Sequence, residues 1–243
     1  MKESLPQKAY TELADSYSEK VDTKPHNAYY DRPGIQSLLN NLEKKNILDA
    51  GCGTGVYTEW LLNNGSSVIG IDANEKMLTH AIKRNGDKAQ FIQANLEEPL
   101  VMFKDKTFDG IISPLTLTYC NNLKDIFSEF SRILKDNGWL VFSTEHPFFS
   151  YKYHKIENYY TTKEVKCIWT GFEKRVEMKS YYHSLGTITD ALFVNKFVIE
   201  KIIEPLPIEK FKDEDPENYN KLRKFPMFIF IRAFKHNINE EKT

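Results

Sequence analysis

The chain has 243 residues, of which 41% are apolar and 28% charged, and its formal net charge is −1. Those proportions fit a globular protein with one substantial core and give it no bulk attraction for nucleic acid or an anionic membrane. Cys52, Cys120 and Cys167 are too scattered for a disulfide framework or zinc site, Met1–Pro6 lacks a signal-peptide core, and no apolar run approaches the roughly 20 residues that cross a bilayer, so a cytoplasmic protein without a metal is expected.

From the N-terminus, apolar residues at spacings of three and four predict an amphipathic helix over 5–20. Tyr10 and Tyr17 share one of its faces, where they pack on the core or cover a bound cofactor. His26 to Arg32 reads as a polar, aromatic loop, and Pro33 opens a second helix to about Lys45. A first strand covers 46–49. The glycine-spaced turn Gly51-Cys52-Gly53-Thr54-Gly55 follows, then a helix to about Asn64 closed by Gly65. A second strand over 67–71 ends at Asp72. Asn74 caps a helix with Met77, Leu78, Ala81 and Ile82 on one face. A third strand spans 89–94 and a fourth 108–113. A helix from Asn122 to Leu134 turns at Asn137-Gly138 into a fifth strand over 139–144. Strands apolar on both faces, alternating with helices, predict a parallel sheet covered on both sides. Right-handed crossovers put Asp49, Asp72, Asn95, Ser113 and Glu145 along one edge, the edge where open parallel sheets bind ligands.

Residues 146–185 break the alternation. Between Tyr151 and Tyr182, 25% of residues are aromatic against 13% for the whole chain, and Val165–Trp169 and Val176–Tyr182 can pair as a hairpin around Thr170-Gly171. This insertion is a substrate lid or a satellite core. A helix over 185–194, a sixth strand over 196–203, a charged loop or helix over 209–224, a seventh strand over 226–234 and a frayed tail from His236 complete the chain. Without repeats or linkers, a single domain is expected: 1–45 a helical cap, 46–145 the cofactor-binding core, 146–185 the lid insertion and 186–235 the remainder of the sheet.

The glycine turn discriminates between cofactors. Its glycines at 51, 53 and 55 do not follow the G-x-G-x-x-G spacing of a dinucleotide site, and Asp49 at the strand end would repel a pyrophosphate. Asp72 can accept both hydroxyls of a ribose. A nucleoside with a cationic appendage and no phosphate fits this pattern, and S-adenosylmethionine is such a molecule. The run Ile47-Leu48-Asp49-Ala50-Gly51-Cys52-Gly53-Thr54-Gly55 closely resembles the cofactor motif of the Rossmann-like (class I) S-adenosylmethionine-dependent methyltransferases. The resemblance covers residues 30–145 well and the later strands more loosely. It implies an α/β sheet in the order 3-2-1-4-5-7-6 with strand 7 antiparallel, helices on both faces and the aromatic insertion after strand 5. It further implies that Asp49, Gly51 and Gly53 hold the methionine part, Asp72 the ribose, Ala73 and Met77 the adenine faces, and Asn95-Leu96 the adenine amino group. Ser113-Pro114-Leu115 would line the methyl-donor end. Cys52 is read as a small side chain filling the tight turn.

Ser113-Pro114-Leu115-Thr116 departs from the Asn/Asp-Pro-Pro-Tyr/Phe run of nucleobase methyltransferases, and Ser143 to Phe149 resembles a subgroup of small-molecule type. The expected activity is methyl transfer to a small-molecule acceptor, leaving S-adenosylhomocysteine. The alternatives are a cofactor-binding protein without turnover and, less favoured by the glycine spacing, a nicotinamide-dependent oxidoreductase. Substrate-side candidates are His146 after the fifth strand, His183 at the end of the hairpin and Tyr119 after the fourth, with Tyr17 over the cofactor. Glu145 is as suited to fixing His146 or a loop as to touching substrate.

Overall fold

The structure is a computed structural model and describes residues 3–172 and 174–236. Its strands are β1 (Asn46–Ala50), β2 (Ser67–Asp72), β3 (Gln90–Gln93), β4 (Phe108–Pro114), β5 (Leu134–Glu145), β6 (Lys163–Trp169), β7 (Val176–Tyr182), β8 (Phe197–Ile203) and β9 (Phe228–Lys235). Seven of them form one sheet in the order β3-β2-β1-β4-β5-β9-β8, while β6 and β7 pair only with each other. The first five run parallel, and β9 lies antiparallel to both β5 and β8. Counted without the hairpin, the order is 3-2-1-4-5-7-6 with the last strand reversed, as the resemblance implies.

Alternation along each strand explains why the sheet needs cover on both faces. Leu48, Ile71, Ile111, Leu140 and Phe142 point to one side, where they meet Phe127, Phe130 and Ile133 of α5 (Leu123–Ile133) and Ile188 and Leu192 of α7 (Leu185–Val194). Ile47, Val68, Ile112, Val141 and Phe230 point to the other. There they meet Leu61 of α3 (Val56–Asn63) and Ile35 of α2 (Arg32–Ser37). The hairpin and α1 (Gln7–Lys20) make a smaller cluster of their own from Ala9, Leu13, Phe172, Val176 and Met178. Asn74 caps α4 (Glu75–Asn85) by accepting from the Met77 N–H, and its amide donates to Thr11 Oγ1 at 2.9 Å and to the Gln7 carbonyl. One capping residue thereby also fastens α1 across the ligand edge.

Several elements differ from expectation. Residues 27–31 form a π-helical turn rather than a loop, because Ala28, Tyr29 and Tyr30 are buried and the wider turn lets Tyr30 stack on Phe228 at 5.2 Å. Helix α2 ends at Ser37, not near Lys45, since Asn41 and Lys44 take left-handed backbone conformations (φ 52° and 59°). Ile82 is exposed on α4. Strand β5 starts at Leu134, and Asn137-Gly138 is a bulge inside it that shifts its register against β4. A short helix, α6 (Pro147–Tyr153), follows β5 at the start of the insertion. The charged stretch forms α8 (Glu209–Glu214) and α9 (Pro216–Leu222), which bury Phe211, Tyr219 and Leu222 rather than remaining solvated. The expected tail beyond His236 lies outside the described residues. Among those residues, no helix is long and apolar enough to cross a membrane.

Candidate active site

The three glycines of the turn have φ values of +83°, +53° and +77°, conformations that L side chains adopt only with strain. The N–H groups of Gly51 and Cys52 both donate to the Ile71 carbonyl, at 2.8 and 2.9 Å, which ties the turn to β2. A Cβ at Gly51 would clash with the Thr116 side chain, and one at Gly55 would lie 2.5 Å from Asn85 Nδ2. At Gly53 the same Cβ would meet nothing within 4 Å. Packing therefore demands Gly51 and Gly55, whereas Gly53 presents bare backbone to an open cleft.

That cleft has a volume of about 120 Å³ and is lined by Tyr10, Tyr17, Gly51, Gly53, Asp72, Ala73, Met77, Asn95, Leu96, Leu115 and Tyr119. Asp72 accepts from the Gly53 N–H at 2.9 Å and the Asn74 N–H at 2.8 Å, one with each carboxylate oxygen. Each oxygen keeps a further lone pair for a ligand hydroxyl. Burial raises the Asp72 pKa, and these two amides oppose the rise.

Three residues expected at the cofactor do not line this cleft. Asp49 sits beneath the turn, fully buried: one oxygen accepts from the Thr58 hydroxyl at 2.7 Å and Oδ1 has no partner. Burial pushes its pKa up to about 7, so a cation arriving in the cleft above would favour its ionised form. Cys52 lines an adjoining recess with Asp31 and Tyr57 that shares Tyr17, Gly51, Gly53, Pro114 and Leu115 with the cleft, and burial raises its thiol pKa. Ser113 is wholly buried because strand alternation turns it inward, where its hydroxyl donates to the Ala50 carbonyl at 2.9 Å. Pro114 and Leu115 face the cleft instead.

Beyond the cleft lies a second cavity of about 290 Å³, roofed by the hairpin. Tyr10, Tyr17, Leu115 and Tyr119 belong to both. The phenol oxygens of Tyr10 and Tyr119 are 2.9 Å apart, Tyr17 stacks on Phe172 at 5.1 Å, and Tyr10 meets Trp169 edge-on at 6.2 Å. Phe149, Tyr153, Thr118, Glu145, Lys24 and His26 complete much of the wall. The aromatic insertion thus forms a roof over the ligand edge and, with α1, a packed cluster as well.

Tyr119 and Tyr17 line both cavities, whereas His146 and His183 line neither. His146 caps α6, its Nδ1 accepting from the Phe148 N–H while Nε2–H donates to Glu204 at 2.6 Å. His183 donates from Nε2 to the Cys120 carbonyl at 2.8 Å and accepts at Nδ1 from Thr162, and burial lowers its pKa. Both rings are held by partners distant in sequence, Glu204 for His146, and Thr162 and the Cys120 carbonyl for His183. The residues that sequence reasoning left undecided or passed over are Glu145, Tyr10 and Thr118. For Glu145 the signal was its place at a strand end.

Leu115, between the two cavities, has φ +50° and is held by a buried relay. Its N–H donates to the carbonyl and hydroxyl oxygens of Ser143, at 3.0 and 3.1 Å. The Ser143 hydroxyl and the Tyr57 hydroxyl each donate to Asp31, at 2.6 Å. Burial lifts the Asp31 pKa to about 6. A carboxyl whose folded pKa exceeds its unfolded value stabilises the fold while protonated, and that contribution is lost as pH rises from about 4 through about 6. The stability of Asp31→Asn relative to wild type is therefore expected to be higher at pH 8 than at pH 5, by on the order of 1 kcal/mol in urea unfolding. An offset equal at both pH values would count against a titrating Asp31.

Comparison with known proteins places this geometry. Residues 48–142 match the family described as "Methyltransferase domain". An uncharacterized protein of Haemophilus influenzae is 29% identical over 229 residues, covering 86% of this chain and 88% of its own. A malonyl-[acyl-carrier protein] O-methyltransferase of Hamiltonella defensa is 26% identical over 136 residues, 56% of this chain and 50% of its own, so the chain matches only about half of that enzyme. An S-adenosylmethionine dependent methyltransferase from Mesorhizobium loti shares the fold with a TM-score of 0.69 at 23% identity, covering 88% of this chain and 99% of that one.

Proposed function

We propose that this chain is a Rossmann-like S-adenosylmethionine-dependent methyltransferase, the family its glycine turn resembles and whose domain matches residues 48–142, and that its acceptor is a small molecule held in the aromatic cavity. The observation that carries this reading is the 290 Å³ cavity sharing a wall of Tyr10, Tyr17, Leu115 and Tyr119 with the cleft of the glycine turn. A concave pocket of that size suits a metabolite, whereas a nucleic acid or protein substrate is better met by an extended surface.

The cleft's residues fit the cofactor. Asp72 would hold the ribose hydroxyls, and Gly53 offers the bare backbone that close approach requires. Ala73 and Met77 would flank the adenine and Asn95-Leu96 its amino group. Asp49 acts through its charge from beneath the turn rather than by contact. When bound, the cofactor supplies a methyl group on a sulfonium, already activated toward an acceptor lone pair. What the protein contributes is placement and exclusion of water: Leu115, pinned by Ser143, fixes the boundary between donor and acceptor, and the rings from α1 and the hairpin close the space. The malonyl acceptor of the Hamiltonella relative is not carried over, because a carboxylate in this cavity would face Glu145.

Incubating the protein with S-adenosylmethionine and an ultrafiltered metabolite extract is expected to release S-adenosylhomocysteine and methylate a component of the filtrate, read by mass spectrometry. Release that depends only on the retained macromolecules would overturn the small-molecule reading.

A further inference from the structure

Glu145 ends β5 with its carboxylate on the wall of the aromatic cavity. Its one hydrogen-bond donor is the Ser150 hydroxyl, 3.1 Å from Oε2. Among the described residues, no lysine or arginine lies within ion-pair distance of it. His154 Nε2 of α6 is 4.0 Å away, and burial lowers the His154 pKa, which leaves that ring neutral at neutral pH. Tyr119 and Cys167, the other titratable groups that sense its charge, keep their protons because burial raises both. His26 is held neutral in the same way. The other charge on the wall, Lys24, places its ammonium 3.6 Å from the centre of the Phe172 ring. Glu145, its pKa raised by burial with the Ser150 hydroxyl opposing the rise, thus faces an aromatic space with no protein cation in ion-pair contact among the described residues.

A second, independent observation comes from the same wall. Thr118 is 5% exposed, lines the cavity, and its Oγ1 has no hydrogen-bond partner in the protein. One carboxylate and a surround of ring faces (Tyr17, Tyr119, Phe149, Trp169), with the closed-off Thr118 hydroxyl in the wall, form a receptor for an N–H-bearing cation. The carboxylate accepts from it, and the rings attract it through their negative faces. An anion of the same size would meet Glu145 as a like charge.

We propose that the acceptor is an organic amine that binds as its ammonium, with Glu145 as the residue that selects it and takes its proton. This deepens the small-molecule reading and rests on it. In the step, a proton passes from the ammonium nitrogen to a Glu145 oxygen, and the N–H bonding pair stays on nitrogen as the lone pair that methyl transfer requires. The proton then leaves to solvent when Glu145 ionises again.

Binding to the cofactor-free protein tests the amine assignment without any turnover. Benzylamine and phenethylamine are titrated against benzoate and 3-phenylpropionate, by calorimetry and by Trp169 fluorescence. The cations are expected to bind about tenfold or more tighter than the matched carboxylates. Affinity should fall as pH drops and Glu145 takes up a proton. Glu145→Gln should lose about tenfold in cation affinity, together with that low-pH dependence, while its affinity for S-adenosylhomocysteine stays at the wild-type value. Carboxylates binding as well as the cations, none of the cations binding, or an unchanged cation affinity in Glu145→Gln would each overturn the proposal. Failure of the wild-type protein to bind S-adenosylhomocysteine would instead overturn the reading of the cleft beneath it.

Discussion

In Asp72→Ala, affinity for S-adenosylhomocysteine is expected to fall about a hundredfold or more by calorimetry. Two hydrogen bonds from ribose hydroxyls to an ionised acceptor are lost, each worth roughly 1.5–3 kcal/mol. The same carboxylate holds the N–H groups of Gly53 and Asn74, so its removal also loosens the turn and the start of α4. Asp72→Asn separates the two contributions. An asparagine oxygen can still accept from one amide, but its NH2 cannot accept from the other, so an intermediate affinity is expected. A near-native affinity in Asp72→Ala, with the fold intact by thermal melting, would remove the ribose assignment.

Gly51→Ala and Gly53→Ala should fail in different ways. At Gly51 the added methyl clashes with Thr116 on a backbone with φ +83°. Thr116 cannot simply withdraw, since its hydroxyl lies within hydrogen-bond reach of both the Gly51 and Pro114 carbonyls and donates to one of them. A loss of roughly 2–4 kcal/mol in urea unfolding is expected from clash and strain together. At Gly53 the methyl meets no protein atom, and only the left-handed backbone (φ +53°) opposes it, at about 1–2 kcal/mol. There the methyl projects into the cleft, and cofactor affinity should fall by about tenfold or more through exclusion of the ligand. If Gly53→Ala bound S-adenosylhomocysteine as wild type does, the turn would not be the surface that the cofactor approaches.

Local chemistry explains what could be read in advance. Strand, glycine turn and helix around residues 46–63, Asp72 closing β2 and Asn74 capping α4 all depend on neighbours within a few residues, and their positions follow from periodicity and cap chemistry. The pairing of the two hairpin strands was legible in their alternating runs, but its register, with Trp169 opposite Val176, was not. Direction within the sheet edge was not legible. Ser113 and Pro114 are adjacent, yet alternation buries one and exposes the other to the cleft. Nor were partners far along the chain. His146 is held by Glu204, His183 by the Cys120 carbonyl and Ser143 by Asp31, 112 residues away. A histidine at a strand end or hairpin end has the same sequence signature whether it meets a substrate or a carbonyl.

The common wall of Tyr10, Tyr17, Leu115 and Tyr119 has a consequence for how the two ligands cooperate. None of these side chains can adjust to a guest on one side without changing the boundary felt on the other. Occupation of the donor cleft therefore alters the acceptor's dissociation constant, and by thermodynamic reciprocity the acceptor alters the donor's by the same factor. Donor and acceptor are coupled before any methyl moves, through three tyrosine rings and a leucine rather than through a hinge.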